Sequence, residues 1–270
     1  NKKLFIIILL VVFFFFFFLG GGSLLFGQNL SNDSGQSETD DNLDSDAISG
    51  YWTDSGNYAT AFAGGSGTSS SPYQIATAAQ LAYFAYTVNN VGTTYAGEYV
   101  QLTADIDLAD HYWVPIGYYY ENDFEGTFDG NQKIVSNMTI LSTESYDEYF
   151  GFFGFVYNGA TIKKLVLDNV DISYSSGCTL YGVGGVVGYA CYGATISECI
   201  VTGSIKGTYA VGGIVGVVNY GETTISECSS NASVYAGNTS GIASVGGIVG
   251  CDDATGNLNI LKCANYGTVD

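Results

Sequence analysis

The chain has 270 residues, enough for one large domain or two small ones. It sets 26 acids against 7 bases, all of them lysines, for a net charge of −19. Arginine is the usual bidentate partner of phosphate and guanine, and nucleic-acid affinity comes mostly from cations on phosphates. An acidic chain without arginine is therefore not read as a nucleic-acid binder or an arginine-clamped phosphoryl-transfer enzyme. Charged residues make up only 12%, with 37 Gly and 22 Tyr, a balance that suits a secreted all-β protein kept soluble by hydroxyls, amides and carboxylates.

Residues 1–27 read as an address. Lys2 and Lys3 precede an unbroken apolar run, Leu4 to Leu19, which Gly20–Gly22 interrupts. That order describes a secretory signal. Leu4 to Phe26 is also long enough to remain as a membrane anchor. Either way the remainder is exported, so the expected location is secreted or cell surface. The chain starts with Asn, which suggests that a first codon is missing. Residues 28–50 are acidic and nearly free of large apolar groups, and are read as a disordered linker because they bury too little surface to offset ordering entropy.

Residues 51–96 are read as an N-terminal cap. Within it Thr77-Ala-Ala-Gln80 is a capping box, and Leu81, Phe84, Ala85 and Val88 come after it at helical spacing. This predicts a helix over about 78–89 that plugs the open N-terminal end of the β region. From 97 to 270 the pattern is strand and turn. GEYVQLTADIDL (97–108) and FEGTFDGNQKIVSNMTI (124–140) are short β-branched runs with Gly and Asn corners.

A repeat then emerges. VGGIVG stands at 211–216 and again at 245–250, with VGGVVG at 183–188. The tetrads GFFG, GVVG, GIVG and GIVG begin at 151, 185, 213 and 247, spaced 34, 28 and 34 residues apart. Each is followed by a TISEC-type segment. Such a period points to a solenoid or a propeller, and three short strands per repeat with no amphipathic helix select one coil of a β-solenoid. The coils are placed at about 151–184, 185–212, 213–246 and 247–270. A coil cannot bury its own inner face, so the motif must recur. The pattern calls for another tetrad soon after Asp270, so the C-terminus reads as truncated, with end-to-end self-association expected of an uncapped coil.

The tetrads with their TISEC-type strands resemble the GLUG repeats of bacterial secreted and cell-surface proteins. The leader GTSSSPYQIATAAQLAYFA, QLTADIDL, WVPIG and FEGTFDGNQKIVSNMTI resembles the region often found before them. The resemblance covers roughly residues 51–270. It implies a right-handed parallel β-helix and a role in adhesion or surface display, and it supplies no catalytic residue.

Parallel β-helices also include polysaccharide lyases and hydrolases, so an enzyme is the rival reading. Hydrolysis needs paired carboxylates. Asp105, Asp107 and Asp129, with Asp110, Asp123 and Glu125 nearby, are candidates, and the Asp-x-Asp spacing of the first two also suits calcium. Asp105 and Asp107 alternate with Ala104, Ile106 and Leu108 as solvent-side strand residues do, and Asp129-Gly130-Asn131 is turn chemistry. These favour structural roles, with no cofactor required and calcium as the metal to consider. His111 is the only histidine, which leaves no multi-histidine zinc site. Tyr112, Trp113, Tyr118, Tyr119, Tyr120 and Phe124 form an aromatic set that reads either as coil packing or as a platform for sugar or protein contact.

Cys199, Cys228 and Cys263 occupy equivalent places in successive coils and read as an inward ladder of free thiols. Cys178, Cys191 and Cys251 are not repeat-equivalent, and a Cys191–Cys251 bridge would have to skip a coil. The leading expectation is a non-catalytic exported β-helix for adhesion or display, with a glycan or extracellular protein as partner. The alternatives are a carbohydrate-active enzyme and a passive spacer in a larger surface protein.

Overall fold

The computed structural model describes residues 48–270 apart from 118–120, 143–146, 176–177, 179, 238–242 and 254–255. They belong to one compact unit, Asp46–Asp270. The expected signal or anchor over 1–27, most of the expected linker and Tyr118, Tyr119 and Tyr120 lie outside the described residues. Among the described residues no helix is long and apolar enough to cross a membrane.

The unit is a parallel β-solenoid. In the coil that carries GVVG the chain runs through four strands, Leu180–Gly184, Val187–Cys191, Ala194–Ser197 and Ile200–Gly207. We call their faces the leading, tetrad, TIS and long faces. The sequence predicts three strands per coil, and the fourth arises because the hexamer is not one strand. Gly185–Val186, and likewise Gly213–Ile214, are bends that divide it between the leading and tetrad faces.

Each strand pairs in parallel with its counterpart one coil away. On the leading face Val183 aligns with Val211 and Val211 with Val245. On the tetrad face Val187 aligns with Phe153 and Val215, and Val215 with Val249. The register of all four tetrads matches the sequence repeat. The TIS face continues furthest upstream, as a seven-stranded sheet from Tyr73–Ile75 to Gly256–Leu261.

Inward positions stack on their own kind. Val100, Phe128, Ile162, Ile196, Ile225 and Ile260 form one row along the TIS face. All but Ile260, on the last coil, are buried. Each buried aliphatic side chain contributes roughly 1.5–3 kcal/mol. At the far corner of the TIS face the chain turns through a left-handed residue, in turn Lys164, Glu198, Glu227 and Lys262, with φ between 54° and 55°. That conformation costs a non-glycine residue roughly 1–2 kcal/mol. It is offset by amides reaching the next coil, as where the Glu198 N–H donates to Ser226 O at 3.0 Å. The turn aims the next residue inward, which explains the recurrent E-C and K-C pairs.

The helix α1 spans Ala78–Asn89, where the capping box predicts it. The Gln80 N–H donates to Thr77 Oγ1 at 3.3 Å, and Gln80 Oε1 accepts from the Ala76 N–H at 2.9 Å. Phe84 projects from α1 onto Phe128, Phe124 and Phe153, stacking on Phe128 with centroids 5.9 Å apart. The helix therefore closes the first coil with aromatic packing.

Candidate functional site

The glycines of the hexamer determine a surface as well as a bend. A Cβ on Gly184 would lie 2.2 Å from Val187 O, and one on Gly188 would lie 2.7 Å from Phe150 N. Side chains are excluded there, so the leading and tetrad strands fold back on each other. Outside this re-entrant corner sits a second apolar cluster, separate from the main core: Phe155, Tyr189, Cys191, Ala210 and Val217, with Tyr149, Tyr157, Tyr192 and Cys251 packed against it.

Two rows make up its floor. Phe155, Tyr189, Val217 and Cys251 align in one, and Tyr157, Cys191 and Asn219 in the other. The Tyr149 ring lies 4.5 Å from Tyr189 and 5.6 Å from Phe155. Ring contacts run outward from it to Tyr181 and Tyr209 on the leading side. On the other side they run from Phe155 through Tyr157 and Tyr192 to Tyr220. Tyr181, Tyr209 and Tyr220 are 45%, 39% and 42% exposed, so both flanks present tyrosine to solvent.

The polar groups here are amide, hydroxyl and carboxylate. Asn219 Nδ2 donates to Tyr189 Oη at 2.7 Å and lies 3.3 Å from Asp253 Oδ2. Burial, then the Asp253 charge, raises the Tyr181 hydroxyl above its ordinary range. Burial pushes the Cys191 thiol up to about 12. At neutral pH that thiol is protonated and no nucleophile.

The carboxylates singled out in the sequence are engaged in the ladder itself. Asp105 Oδ1 accepts from the Ile134 N–H at 3.0 Å. Asp107 Oδ1 accepts from the Ala109 N–H at 3.1 Å and from Asn137 Nδ2 at 2.9 Å. Asp129 Oδ1 accepts from the Asn131 N–H at 2.8 Å, and its Oδ2 lies 3.4 Å from Lys163 Nζ. Asp105 and Asp107 share a shallow surface depression with Ser136 and Asp168 on the long face, whereas Asp129 belongs to the TIS face. Among the described residues no group of three or more His, Cys, Asp or Glu is placed to hold a metal ion.

The predicted aromatic platform divides. Trp113 is 1% exposed, stacks on Phe152 at 5.5 Å, and donates its indole N–H to Phe152 O at 3.1 Å. Phe124 is fully buried. Both are core residues and not contact residues, because Ile116 and Phe124 supply the first rung beneath the tetrad face through their bridges to Phe153 and Val156. Tyr112 is half-buried, 5.9 Å from the Tyr51 ring. His111 is held by Ser49 O at 2.7 Å and by an edge-on contact with Trp52.

Cys199, Cys228 and Cys263 stack as the repeat predicts, and all six cysteines are free thiols. The Ser229 N–H donates to Cys199 O and the Ala264 N–H to Cys228 O, which fixes the rungs. Hydrogen bonding to Cys228, then burial, raises the Cys199 thiol, and the same bond lowers Cys228.

No family model matches the chain, so the GLUG likeness rests on the tetrads and their leader. The chain is 35% identical over 129 residues, 45% of its length, to a protein of Evansella cellulosilytica described as "Putative Gly-rich membrane protein". It spans only 14% of that relative. Among solved structures it is similar to a "putative immunoglobulin A1 protease from Bacteroides ovatus" with a TM-score of 0.61 and 29% identity. That match covers 77% of this chain and 60% of the other. The chain is thus a parallel β-solenoid with likeness to a protein described as a membrane protein.

Proposed function

We propose that this chain is an exported, non-catalytic β-solenoid, secreted or held at the cell surface, that presents its outer side to an extracellular ligand. The observation that carries the reading is the exposed tyrosine flanks of the re-entrant corner, repeated from coil to coil. Support also comes from the apolar start, from the relative's description as a membrane protein, and from the carboxylates at 105, 107 and 129, whose oxygens serve ladder and turn bonds. Adhesion or display is the role that fits a rigid surface of this kind.

The test is to express the full chain and ask whether it is accessible on intact cells or recovered from the medium. Its binding to immobilised glycans and extracellular proteins is measured in the same experiment. Export with retention on at least one such surface is expected. A chain confined to the cytoplasm, or one exported and retained by none of them, would overturn the reading.

A further inference from the structure

The ligand class can be narrowed, on the reading that this solenoid binds a partner through its outer side. A peptide that adds as a β-strand needs a free sheet edge. At the corner every strand of the inner coils is already paired on both sides, so between the end strands the surface offers side chains and no backbone edge. Those side chains are tyrosine rings and hydroxyls with an amide and carboxylates, groups that contact the apolar ring faces and the hydroxyls of sugars.

Charge then selects among sugars. The bridge between Phe124 and Val156 places Glu125, half-buried and accepting from Asn158 Nδ2 at 2.7 Å, beside Tyr157 at the upstream end of the floor, while Asp123 beside Phe155 is buried. Asp253, bonded to Asn219, stands at the downstream end. No lysine occupies either row. The four steps between rungs from the Phe124 bridge to Asp252 span roughly 19 Å along the axis. Accessible carboxylates at both ends, Glu125 and Asp253, within a chain of net charge −19, repel uronates and sulfated sugars and attract cations.

We propose that the corner binds a chain of amino sugars bearing free amino groups. The chain lies along the solenoid axis between the tyrosine flanks, with Tyr181, Tyr209 and Tyr220 against its rings and the terminal carboxylates toward its ammonium groups. The probe is a fully deacetylated glucosamine hexamer, titrated against the full chain, with the N-acetylated hexamer as control. Binding of the amine form is expected to be the tighter of the two and to weaken as salt rises. Tyr181→Ala with Tyr220→Ala should weaken it about tenfold, the scale of a lost aromatic contact, with an unchanged circular dichroism spectrum. Tyr209→Lys, which removes a ring contact and adds a cation, should weaken the amine form more than the acetylated form.

Equal binding of both hexamers, binding indifferent to the tyrosine and lysine variants, or no binding would each overturn the inference. If the full chain is still retained on an extracellular surface and the hexamer does not compete, the inference falls and the proposed function stands. If no extracellular surface retains the chain, the proposed function falls with it.

Discussion

Gly216 and Val183 touch backbone to backbone across adjacent coils. A Cβ on Gly216 would lie 2.5 Å from the Val183 nitrogen, and Gly250 stands in the same relation to Val211. The hexamer recurs because each copy must leave room for its neighbour. Gly216→Ala is expected to destabilise the fold by about 3 kcal/mol, at the upper end of overpacking costs because backbone cannot yield as a side chain does. Gly159, with φ +84° and nothing within 4 Å, is the control. Gly159→Ala should cost only the left-handed strain, about 1–2 kcal/mol. Chemical denaturation of both variants checks the order, and equal losses would contradict the packing account.

Thr223 offers the opposite change. It is fully buried, and its Oγ1 has no hydrogen-bond partner. It lies between Ala194 and Leu258 in the inward row of the TIS face. Thr223→Val keeps the shape and removes the unsatisfied hydroxyl, so it should stabilise by about 1 kcal/mol. A lower denaturation midpoint would show that the hydroxyl has a partner after all.

Alkaline pH should destabilise the protein through its buried phenol and thiol groups. Burial raises Tyr95 to about 12, and Cys191 also to about 12. In the unfolded chain these groups ionise near 10 and 9, while the folded state holds them neutral. The unfolded state therefore binds fewer protons above those values, and stability falls as pH rises. The loss begins near pH 9 and reaches about 2–3 kcal/mol for Tyr95 alone by about pH 12. Tyr95→Phe should flatten the upper part of the decline, though it gives up the 2.7 Å bond to Thr87. Denaturation midpoints from about pH 8 to 12 give the slope.

The cysteines should report the coil order. Cys199 and Cys228 lie in the core, and Cys251 and Cys263 on the last coil are half-exposed. A thiol reagent at neutral pH should label Cys251 and Cys263 first, with Cys178, Cys191, Cys199 and Cys228 reacting only on unfolding. Early labelling of Cys199 would contradict the inward ladder.

Much of the fold is legible in the residues alone. The 34, 28 and 34 residue spacings set the register of Val183, Val211 and Val245, because stacked coils require like residues to align. Thr77 and Gln80 mark the helix through local hydrogen bonding. The re-entrant corner is not legible. Alternation tells which residues share a side of a strand, but Tyr149, Phe155 and Tyr189 look the same whether that side meets the main core or an outer fold. Only the close approach at Gly184 and Gly188 decides it. For Trp113 and Phe124 the sequence leaves core packing and contact both open for a related reason, since a run outside the repeat carries no period to show that it forms a rung.

The most direct test of the central claim measures binding and turnover in one sample. The full chain is incubated with a panel of extracellular polysaccharides, measuring retained protein and newly released reducing ends together, with and without calcium. Retention on at least one polysaccharide without release, unchanged in Asp107→Ala and Asp129→Ala, is the predicted result. Steady release of reducing ends that either substitution abolishes would contradict the account and establish an enzyme.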